Sequence, residues 1–433
     1  MKAVKSVTIV TMGCSKNLVD SERLLRQFDA LGYAVNHDDE VPAGGVVVVN
    51  TCGFIGDAKE ESIDLILEYA AARKKGRISK LFVMGCLSER YMDDLKAEIP
   101  EVDRYFGKFD WSGVLDEMGE SWMNDLRLHR KLTTPSHYAF LKISEGCSRT
   151  CSYCAIPIIT GGHISRPMED ILEETRLLVQ QGVCEIQLIA QDLSYYGLDT
   201  YKTLKLPELV EKISDIPGVE WIRLHYTYPS NFPMDLLRVM RERTNVCAYL
   251  DMALQHSSDH MLDLMRRKIS SVETMELLKK IRSEVPGIHL RTTLLVGHPG
   301  ETEDDFKQLC DFVKEVKFER MGAFTYSEEE GTYAARHYKD DVPAEVKAAR
   351  LDQLMLLQQD IAAASNESKI GKTFRVIIDR EEPDYYIGRT EYDSPEVDPE
   401  VFISKETPLE NGRFYNVVVQ SAGPYDLFAT LKA

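Results

Sequence analysis

The sequence predicts an α/β protein in three parts: an N-terminal parallel α/β sheet, a central partial (β/α)6 barrel and a small C-terminal β-barrel. Three observations carry that expectation. Apolar strand-like runs alternate with amphipathic helical stretches in two successive blocks, as in parallel sheets covered on both faces. A stretch of mixed polarity and weak periodicity, roughly Asp110 to Ser136 and containing Pro135, separates the blocks and reads as a linker. After Gly371 the pattern changes to short alternating strands set off by turn residues. The boundaries that follow are 1–132, 133–366 and 367–433.

In the first block the strands are Val7–Val10, Val46–Val49 and Leu81–Met84, followed by helices over Val19–Leu31, Ala58–Arg73 and Glu89–Glu98. The second block offers six strands: Ala139–Ser144, Glu185–Ala190, Trp221–Tyr226, Ala248–Leu254, His289–Val296 and Met321–Tyr326. Six such units fit a partial β/α barrel, whose ligands sit at the C-terminal ends of its strands. Pro343 to Ser368 reads as one long helix, because Ala348, Leu351, Leu354, Leu357 and Ile361 recur at helical spacing. The last part holds strands over Thr373–Ile378, Tyr385–Thr390, Glu400–Ile403, Arg413–Val419 and Leu427–Leu431, enough for a five-stranded barrel.

A chain of 433 residues suggests two or three domains. Nine cysteines without a paired, evenly spaced pattern argue for a reducing compartment and against a disulfide framework. The start, Met1 through Val10, runs to Cys14 with no small-residue cleavage site, so it reads as a first strand and not a signal peptide. No apolar stretch approaches the length of a membrane span, and the expected location is cytoplasmic. The net charge of −18 lacks the basic footprint of a protein that binds free nucleic acid. It favours a basic partner and speeds the encounter with one.

The most informative feature is Cys147, Cys151 and Cys154, a C-x3-C-x2-C spacing directly after an apolar strand. Three closely spaced thiolates suit one face of an iron–sulfur cube and leave the fourth iron without a protein ligand. An open iron marks a cluster that acts on something it binds; a pure electron carrier usually has every position filled. Zinc sites prefer repeated C-x2-C pairs, and Ala155 stands where a c-type haem motif needs His.

A second set is scattered. Each of the first three strands is followed by a cysteine beside glycine: Gly13-Cys14, Cys52-Gly53 and Gly85-Cys86. Parallel strands end on one edge, where open α/β sheets bind ligands, so the three thiols share that edge. Buried structural thiols, redox-active thiols and a second three-ligand cluster all fit this placement. Cys184, Cys247 and Cys310 lie in apolar surroundings and read as ordinary buried thiols.

The C-x3-C-x-aromatic-C pattern, with Tyr153 as the aromatic, resembles the signature of the radical S-adenosylmethionine enzymes. With the N-terminal cysteine block and the C-terminal barrel, which resembles the TRAM domain, nearly the whole chain is similar to the methylthiotransferases. That resemblance implies two 4Fe–4S clusters, on Cys147, Cys151 and Cys154 and on Cys14, Cys52 and Cys86, with S-adenosylmethionine as cofactor. It also implies a cycle in which one S-adenosylmethionine methylates sulfur on the auxiliary cluster and a second supplies the deoxyadenosyl radical. Two branches of the family act on adenosine in transfer RNA, and a third on an aspartate β-carbon of ribosomal protein S-twelve. The run Gly13-Cys14-Ser15-Lys16-Asn17-Leu18-Val19-Asp20-Ser21-Glu22 resembles the ribosomal-protein branch, with Ser15 where proline is common. Asn50-Thr51-Cys52-Gly53-Phe54-Ile55 and Cys86-Leu87-Ser88-Glu89-Arg90-Tyr91 resemble it too.

Further candidates for cofactor contact are Tyr153, Arg166, Gln191, Asp192, Gly297 and Glu301. Gln191 and Asp192 end a barrel strand. Gly297 and Glu301 belong to Gly297-His298-Pro299-Gly300-Glu301-Thr302, which resembles the family's G-F-P-G-E-T turn, with His298 where Phe is usual. Arg166 is a candidate for the methionine carboxylate, with a structural salt bridge as the other reading. Residues 371–433 hold 7 Lys and Arg against 12 Asp and Glu. Glu381, Glu382, Asp384, Glu391, Asp393, Glu396, Asp398 and Glu400 are expected to repel phosphate and attract a basic protein, so RNA binding is not the expected main mode. The expected partner is therefore ribosomal protein S-twelve. A transfer-RNA enzyme and an iron–sulfur electron carrier are the alternatives.

Overall fold

The computed structural model describes residues 5–39, 41 and 43–432. The first four residues of the apolar start, read above against a signal peptide, lie outside the described residues. The chain forms two compact units: Met1–Thr134, Phe140–Arg149 and Ala155–Leu177 in one, and Pro135–Ala139, Thr150–Cys154 and Leu178–Ala433 in the other.

The first unit is built on β1 (Ser6–Thr11), α1 (Ser15–Ala30), β2 (Ala34–His37), β3 (Val46–Thr51), α2 (Gly56–Lys74), β4 (Lys80–Gly85), α3 (Cys86–Glu98) and β5 (Arg104–Tyr105). Its strands pair in parallel in the order β2-β1-β3-β4-β5. Alternation along the strands sends Val7, Ile9, Val48 and Phe82 to one face, against Leu24 and Phe28 of α1. Val47, Val49, Leu81 and Val83 go to the other face, against Ile66 of α2 and Leu95 of α3. Both faces are covered, so apolar residues run without alternation, as in Val46–Val49 and Leu81–Met84. The sequence reading did not include β2 or β5, which are short and edge-lying.

The linker reading of 110–136 needs correction. Trp111–Glu117 forms helix α4, whose Val114 and Leu115 are fully buried in the same core as Phe28. Asp110 caps it by accepting the Gly113 N–H at 3.1 Å. Further on, Gln27 and Met123 exchange two bonds, at 2.9 and 3.1 Å. A seven-residue helix with two buried apolar positions is too short to show a period.

The chain then passes through β6 (Tyr138–Lys142), β7 (Ser144–Glu145), α5 (Ile156–Thr160), β8 (Ile164–Ser165) and α6 (Met168–Gln180). There follow β9 (Glu185–Ile189), α7 (Leu206–Ser214), β10 (Trp221–Thr227), α8 (Asp235–Glu242), β11 (Val246–Gln255), α9 (Asp259–Leu264) and α10 (Ser271–Glu284). The central part closes with β12 (His289–Val296), α11 (Glu303–Val316), β13 (Arg320–Thr325), α12 (Tyr333–His337) and the long helix α13 (Ala344–Glu367). Six strands lie in chain order, β6-β9-β10-β11-β12-β13, and those from β9 onward pair in parallel. This is the predicted βα succession.

Strands β14 (Thr373–Glu381), β15 (Tyr385–Thr390), β16 (Val401–Ser404), β17 (Phe414–Ala422) and β18 (Leu427–Leu431) close a barrel in the order β14-β15-β16-β18-β17. Val376, Ile378, Ile403, Val417 and Val419 fill it.

Candidate functional site

In the first unit the three scattered cysteines follow parallel strands and so share one sheet edge. Cys14 caps α1 after β1, Cys52 follows β3, and Cys86 opens α3 after β4. The glycines beside them do more than admit a bulky group: they let the loops approach one another. Gly13 has φ +88°, and a Cβ there would lie 2.8 Å from the Cys52 Sγ. Gly85 has φ +102°, and a Cβ there would meet the Thr51 backbone at 2.6 Å.

Two buried asparagines join these loops. Asn17 Nδ2 donates to the Met12 and Thr51 carbonyls, each at 3.0 Å, and its Oδ1 lies 3.7 Å from the Cys86 Sγ. Asn50 Nδ2 donates to the Asn17 carbonyl and the Ser21 hydroxyl, each at 3.0 Å. The Asn17-to-Glu22 run thus has an internal use. Asp20 binds Lys142 at 2.5 Å, and Glu22 accepts from the Thr133 N–H at 2.8 Å.

A buried cation completes this edge. Lys108, 3% exposed, binds Glu145 at 3.2 Å, and the second Glu145 oxygen binds Lys142 at 2.7 Å. Glu145 stands two residues before Cys147, so this ionic chain links the scattered set to the approach of the clustered one. The surrounding protein works against a thiolate at Cys14, but Lys16, the Asn17 N–H and Lys108 outweigh it and hold this thiol below the ordinary range. Burial pushes the Cys52 thiol up and the Cys86 thiol up to about 12, with Lys108 opposing both shifts. Cys14 is also the exposed one of the three, Cys52 and Cys86 being half-buried.

The C-x3-C-x2-C loop passes from the first unit to the second between Arg149 and Thr150. In the first, Cys147 is buried and donates its N–H to the Gly161 carbonyl at 3.1 Å. In the second, the loop is held at Ser152. Its N–H donates to the Met265 carbonyl at 3.0 Å, and its carbonyl accepts from Ala334 at 2.7 Å. The Ser152 hydroxyl lies 3.1 Å from His298 Nε2. His298 Nδ1 lies 3.0 Å from the Pro299 carbonyl, which can only accept, so Nδ1 carries the proton and Nε2 accepts from Ser152. Burial pushes the His298 imidazole down to about 4, so it is neutral. Its ring packs edge-on against Tyr153, Tyr326 and Tyr338.

Arg267 was not singled out from the sequence, where Arg266-Arg267-Lys268 looks like a solvated basic run. It is 2% exposed, and its Nη1 donates to the Cys151 Sγ at 3.2 Å and the Tyr153 hydroxyl at 3.1 Å. Lys108 gave no sequence signal either, being an isolated lysine ahead of the segment read as a linker.

The other candidates fall in different places. Gly297 has φ +73° and donates its N–H to Glu301 at 2.8 Å. Glu301 has a fully buried side chain, bound also by Arg350 at 2.5 Å and His256 at 3.2 Å, so it braces the turn from inside. Asp192 caps a turn after β9 by accepting from the Ser194 N–H at 2.9 Å; Gln191 precedes it. Arg166 lies in the first unit, where it binds Glu174 and the Lys142 carbonyl, both at 2.5 Å. That is the salt-bridge arrangement named as its second reading.

Most of the acids named in the C-terminal barrel have partners. Two of them, Asp393 and Asp398, have side chains buried in ion pairs and do not belong to an open acidic face, whereas Glu381 and Glu382 stay about half exposed. Glu381 binds Lys405 at 2.6 Å, while Arg380 binds Glu382 at 2.9 Å and Glu400 at 2.5 Å. Asp393 binds Arg320 at 2.5 Å, Asp398 binds Arg291 at 3.1 Å, and Glu396 accepts from the Tyr138 hydroxyl at 2.9 Å. Buried Arg389 joins Glu185 and Asp379 at 2.7 and 2.6 Å. Glu185, Arg291 and Arg320 stand at or near the N-terminal ends of β9, β12 and β13. These ion pairs fasten the small barrel to the end of the sheet opposite Gln191 and Gly297.

The donor chemistry fits iron–sulfur clusters: two sets of three thiols and no carboxylate or imidazole among them. Among the described residues no three His, Cys, Asp or Glu side chains converge on a single ion. The Arg267 Nε is a buried donor with no partner among the described residues, suited to a polar group beside Cys151.

Residues 141–313 match the radical SAM superfamily, residues 370–431 the TRAM domain, and residues 6–107 an uncharacterized protein family, UPF0004. The chain is 65% identical over 422 residues, 98% of each chain, to a protein of Parabacteroides distasonis named ribosomal protein uS12 methylthiotransferase RimO. It is 63% identical to the protein of that name from Bacteroides thetaiotaomicron, covering 99% of this chain and 98% of the other. Among solved structures, the radical S-adenosylmethionine methyltransferase TsrM from Kitasatospora setae, with cobalamin and a [4Fe-4S] cluster bound, aligns with a TM-score of 0.55. The alignment has 13% identity and covers 77% of each chain, a likeness of fold.

Proposed function

The chain belongs to the ribosomal protein uS12 methylthiotransferase RimO family and is a radical SAM enzyme; from that premise we propose that it attaches a methylthio group to the β-carbon of an aspartate of uS12. The substrate in this reading rests on the 65% identity to a protein named ribosomal protein uS12 methylthiotransferase RimO. The methylthiolation chemistry is supported by the meeting of Cys14, Cys52 and Cys86 on one sheet edge, joined by Asn17 and Asn50. A radical enzyme needing only one cluster has no use for a second set of three thiols so held.

A 4Fe–4S cluster with S-adenosylmethionine supplies, when bound, a carbon radical able to take hydrogen from an unactivated C–H bond, which no side-chain base removes as a proton. Cys147, Cys151 and Cys154 are proposed to hold that cluster, and Cys14, Cys52 and Cys86 the auxiliary one. Lys16 and Lys108 favour the thiolate of Cys14, the form that ligates metal. Tyr153, Gln191, Asp192 and the Gly297 backbone are proposed cofactor contacts, with Glu301 bracing the turn behind Gly297. Arg166 is proposed to brace the first unit internally, through Glu174 and the Lys142 carbonyl.

We keep 1–132, 133–366 and 367–433 as the functional divisions, with the enzyme in the cytoplasm, where uS12 is made and assembled. The test is mass spectrometry of uS12 and of transfer-RNA nucleosides from a strain lacking the gene. The aspartate modification should vanish, with methylthioadenosine unchanged. The converse would assign the chain to transfer RNA.

A further inference from the structure

We propose that Arg267 is a positioning residue for the radical motif, donating an N–H···S bond to Cys151 that raises the reduction potential of the cluster bound there. The proposal rests on the assignment of Cys147, Cys151 and Cys154 as cluster ligands.

The geometry is over-determined. Nη1 reaches the Cys151 Sγ at 3.2 Å, Nη2 donates to the Ala253 carbonyl, and the guanidinium lies 4.1 Å from the centre of the Tyr228 ring. The Tyr228 hydroxyl donates to the Arg267 carbonyl at 2.9 Å and lies 3.6 Å from the same sulfur. Backbone strain marks the position: Arg266 and Lys268, on either side, have φ +57° and +55°, which long side chains rarely adopt. Such strain persists only where the surroundings enforce it, and it gathers at functional sites. Here it turns a charged residue inward from a polar run.

The consequence follows from charge. Reduction by a one-electron donor adds one electron, and so one negative charge, to the cluster and its thiolates. No bond of Arg267 breaks and no proton moves. A cation bonded to a ligating sulfur stabilises the reduced state more than the oxidised one, and hydrogen bonds to sulfur are among the factors that set iron–sulfur potentials. The planar fork places Nη1 on Cys151 and Tyr153 and Nη2 on the Ala253 carbonyl, two fixed nitrogens where a lysine has one.

The test uses the full chain carrying Cys14→Ala, Cys52→Ala and Cys86→Ala, so that only the radical cluster contributes. Reductive titration with Ti(III), followed by electron paramagnetic resonance, gives its midpoint. Arg267→Met and Arg267→Gln, each loaded with about four irons as one cube requires, should show a reduced-to-oxidised ratio about tenfold lower at fixed poise. For a one-electron couple that is about 59 mV. Either variant, loaded and keeping the parent midpoint, overturns the proposal. A measurement without substitution stands beside it: chains grown on 15N-arginine should show a weak 15N coupling to the reduced cluster by electron spin echo, and no coupling overturns the proposal. If the parent itself holds no iron at Cys147, Cys151 and Cys154, the cluster assignment is what has failed.

Discussion

Asn17→Ala tests whether the meeting of the three N-terminal cysteine loops depends on one buried amide. Asn17 is 1% exposed, and its Nδ2 donates to the Met12 and Thr51 carbonyls at 3.0 Å each. Truncation leaves two buried acceptors short of a partner, and each lost bond of this kind costs about 1–3 kcal/mol. Allowing for water entering the space, the loops should lose about 2–4 kcal/mol of local stability. At about 1.4 kcal/mol per decade this is about 30- to 700-fold faster amide exchange. Hydrogen-exchange mass spectrometry on peptides covering residues 11–20 and 50–55 reads it directly, with a peptide containing Val401–Ser404 as the unaffected control. Iron incorporated on anaerobic reconstitution should fall by about half, because only one of two cubes depends on these loops. Unchanged exchange in both peptides with full iron would refute the reasoning.

Lys108→Met should raise the Cys14 thiol toward its ordinary range, because a cation favouring the thiolate is gone. Alkylation of Cys14 at neutral pH should then slow and recover at higher pH; an unaltered pH profile would remove Lys108 from the electrostatics of the site. Burial opposes ionisation of Glu174, yet Arg166, Arg23 and Arg130 outweigh it and hold its carboxyl at about 2, against 4.5 ordinarily. A depressed carboxyl contributes stability that is complete above about pH 4.5 and lost as pH falls toward 2. Glu174→Gln should flatten acid unfolding of the first unit across that window, and an acid transition as steep as the parent's would contradict it. Replacing Glu381 and Glu382 by lysine should break the pairs with Lys405 and Arg380 while leaving reductive cleavage of S-adenosylmethionine intact. Loss of that cleavage would show the barrel to be coupled to the radical site.

Elements with a long, clear period were legible in the sequence. The run Val46–Val49 is apolar because both faces of its strand are covered. The helix Ala344–Glu367 is legible from the spacing of Ala348, Leu351, Leu354, Leu357 and Ile361, but of these only Leu354 is buried. Its packed face also carries Lys347, Arg350, Gln358, Ala362 and Asn366, and Arg350, Gln358 and Asn366 find their polar partners far away in sequence. The shared edge of Cys14, Cys52 and Cys86 followed from topology alone, since parallel strands end on one side. Contacts between segments distant in sequence were not legible. Arg267 meets Cys151 across 116 positions, and Lys108 meets Glu145 across 37, with nothing local to separate either from a surface cation. The same cause misled the reading of the barrel acids. Asp393 and Asp398 look like a solvated acidic run, but each finds an arginine at the start of a distant strand. Helix Trp111–Glu117 was hidden by its shortness: its evidence is the burial of Val114 and Leu115, which only the packed core reveals.

The central claim is that two sets of three thiols serve one methylthiolation of uS12, and the direct measurement is reaction of purified, reconstituted protein with uS12, S-adenosylmethionine and a strong one-electron reductant. Mass spectrometry of uS12 should show a gain of one CH2S on a single aspartate. Cys14→Ala should abolish that gain while 5′-deoxyadenosine still forms, and Cys147→Ala should abolish both. Unmodified uS12 beside methylthiolated transfer-RNA adenosine would contradict the account, as would full modification of uS12 by the Cys14→Ala protein.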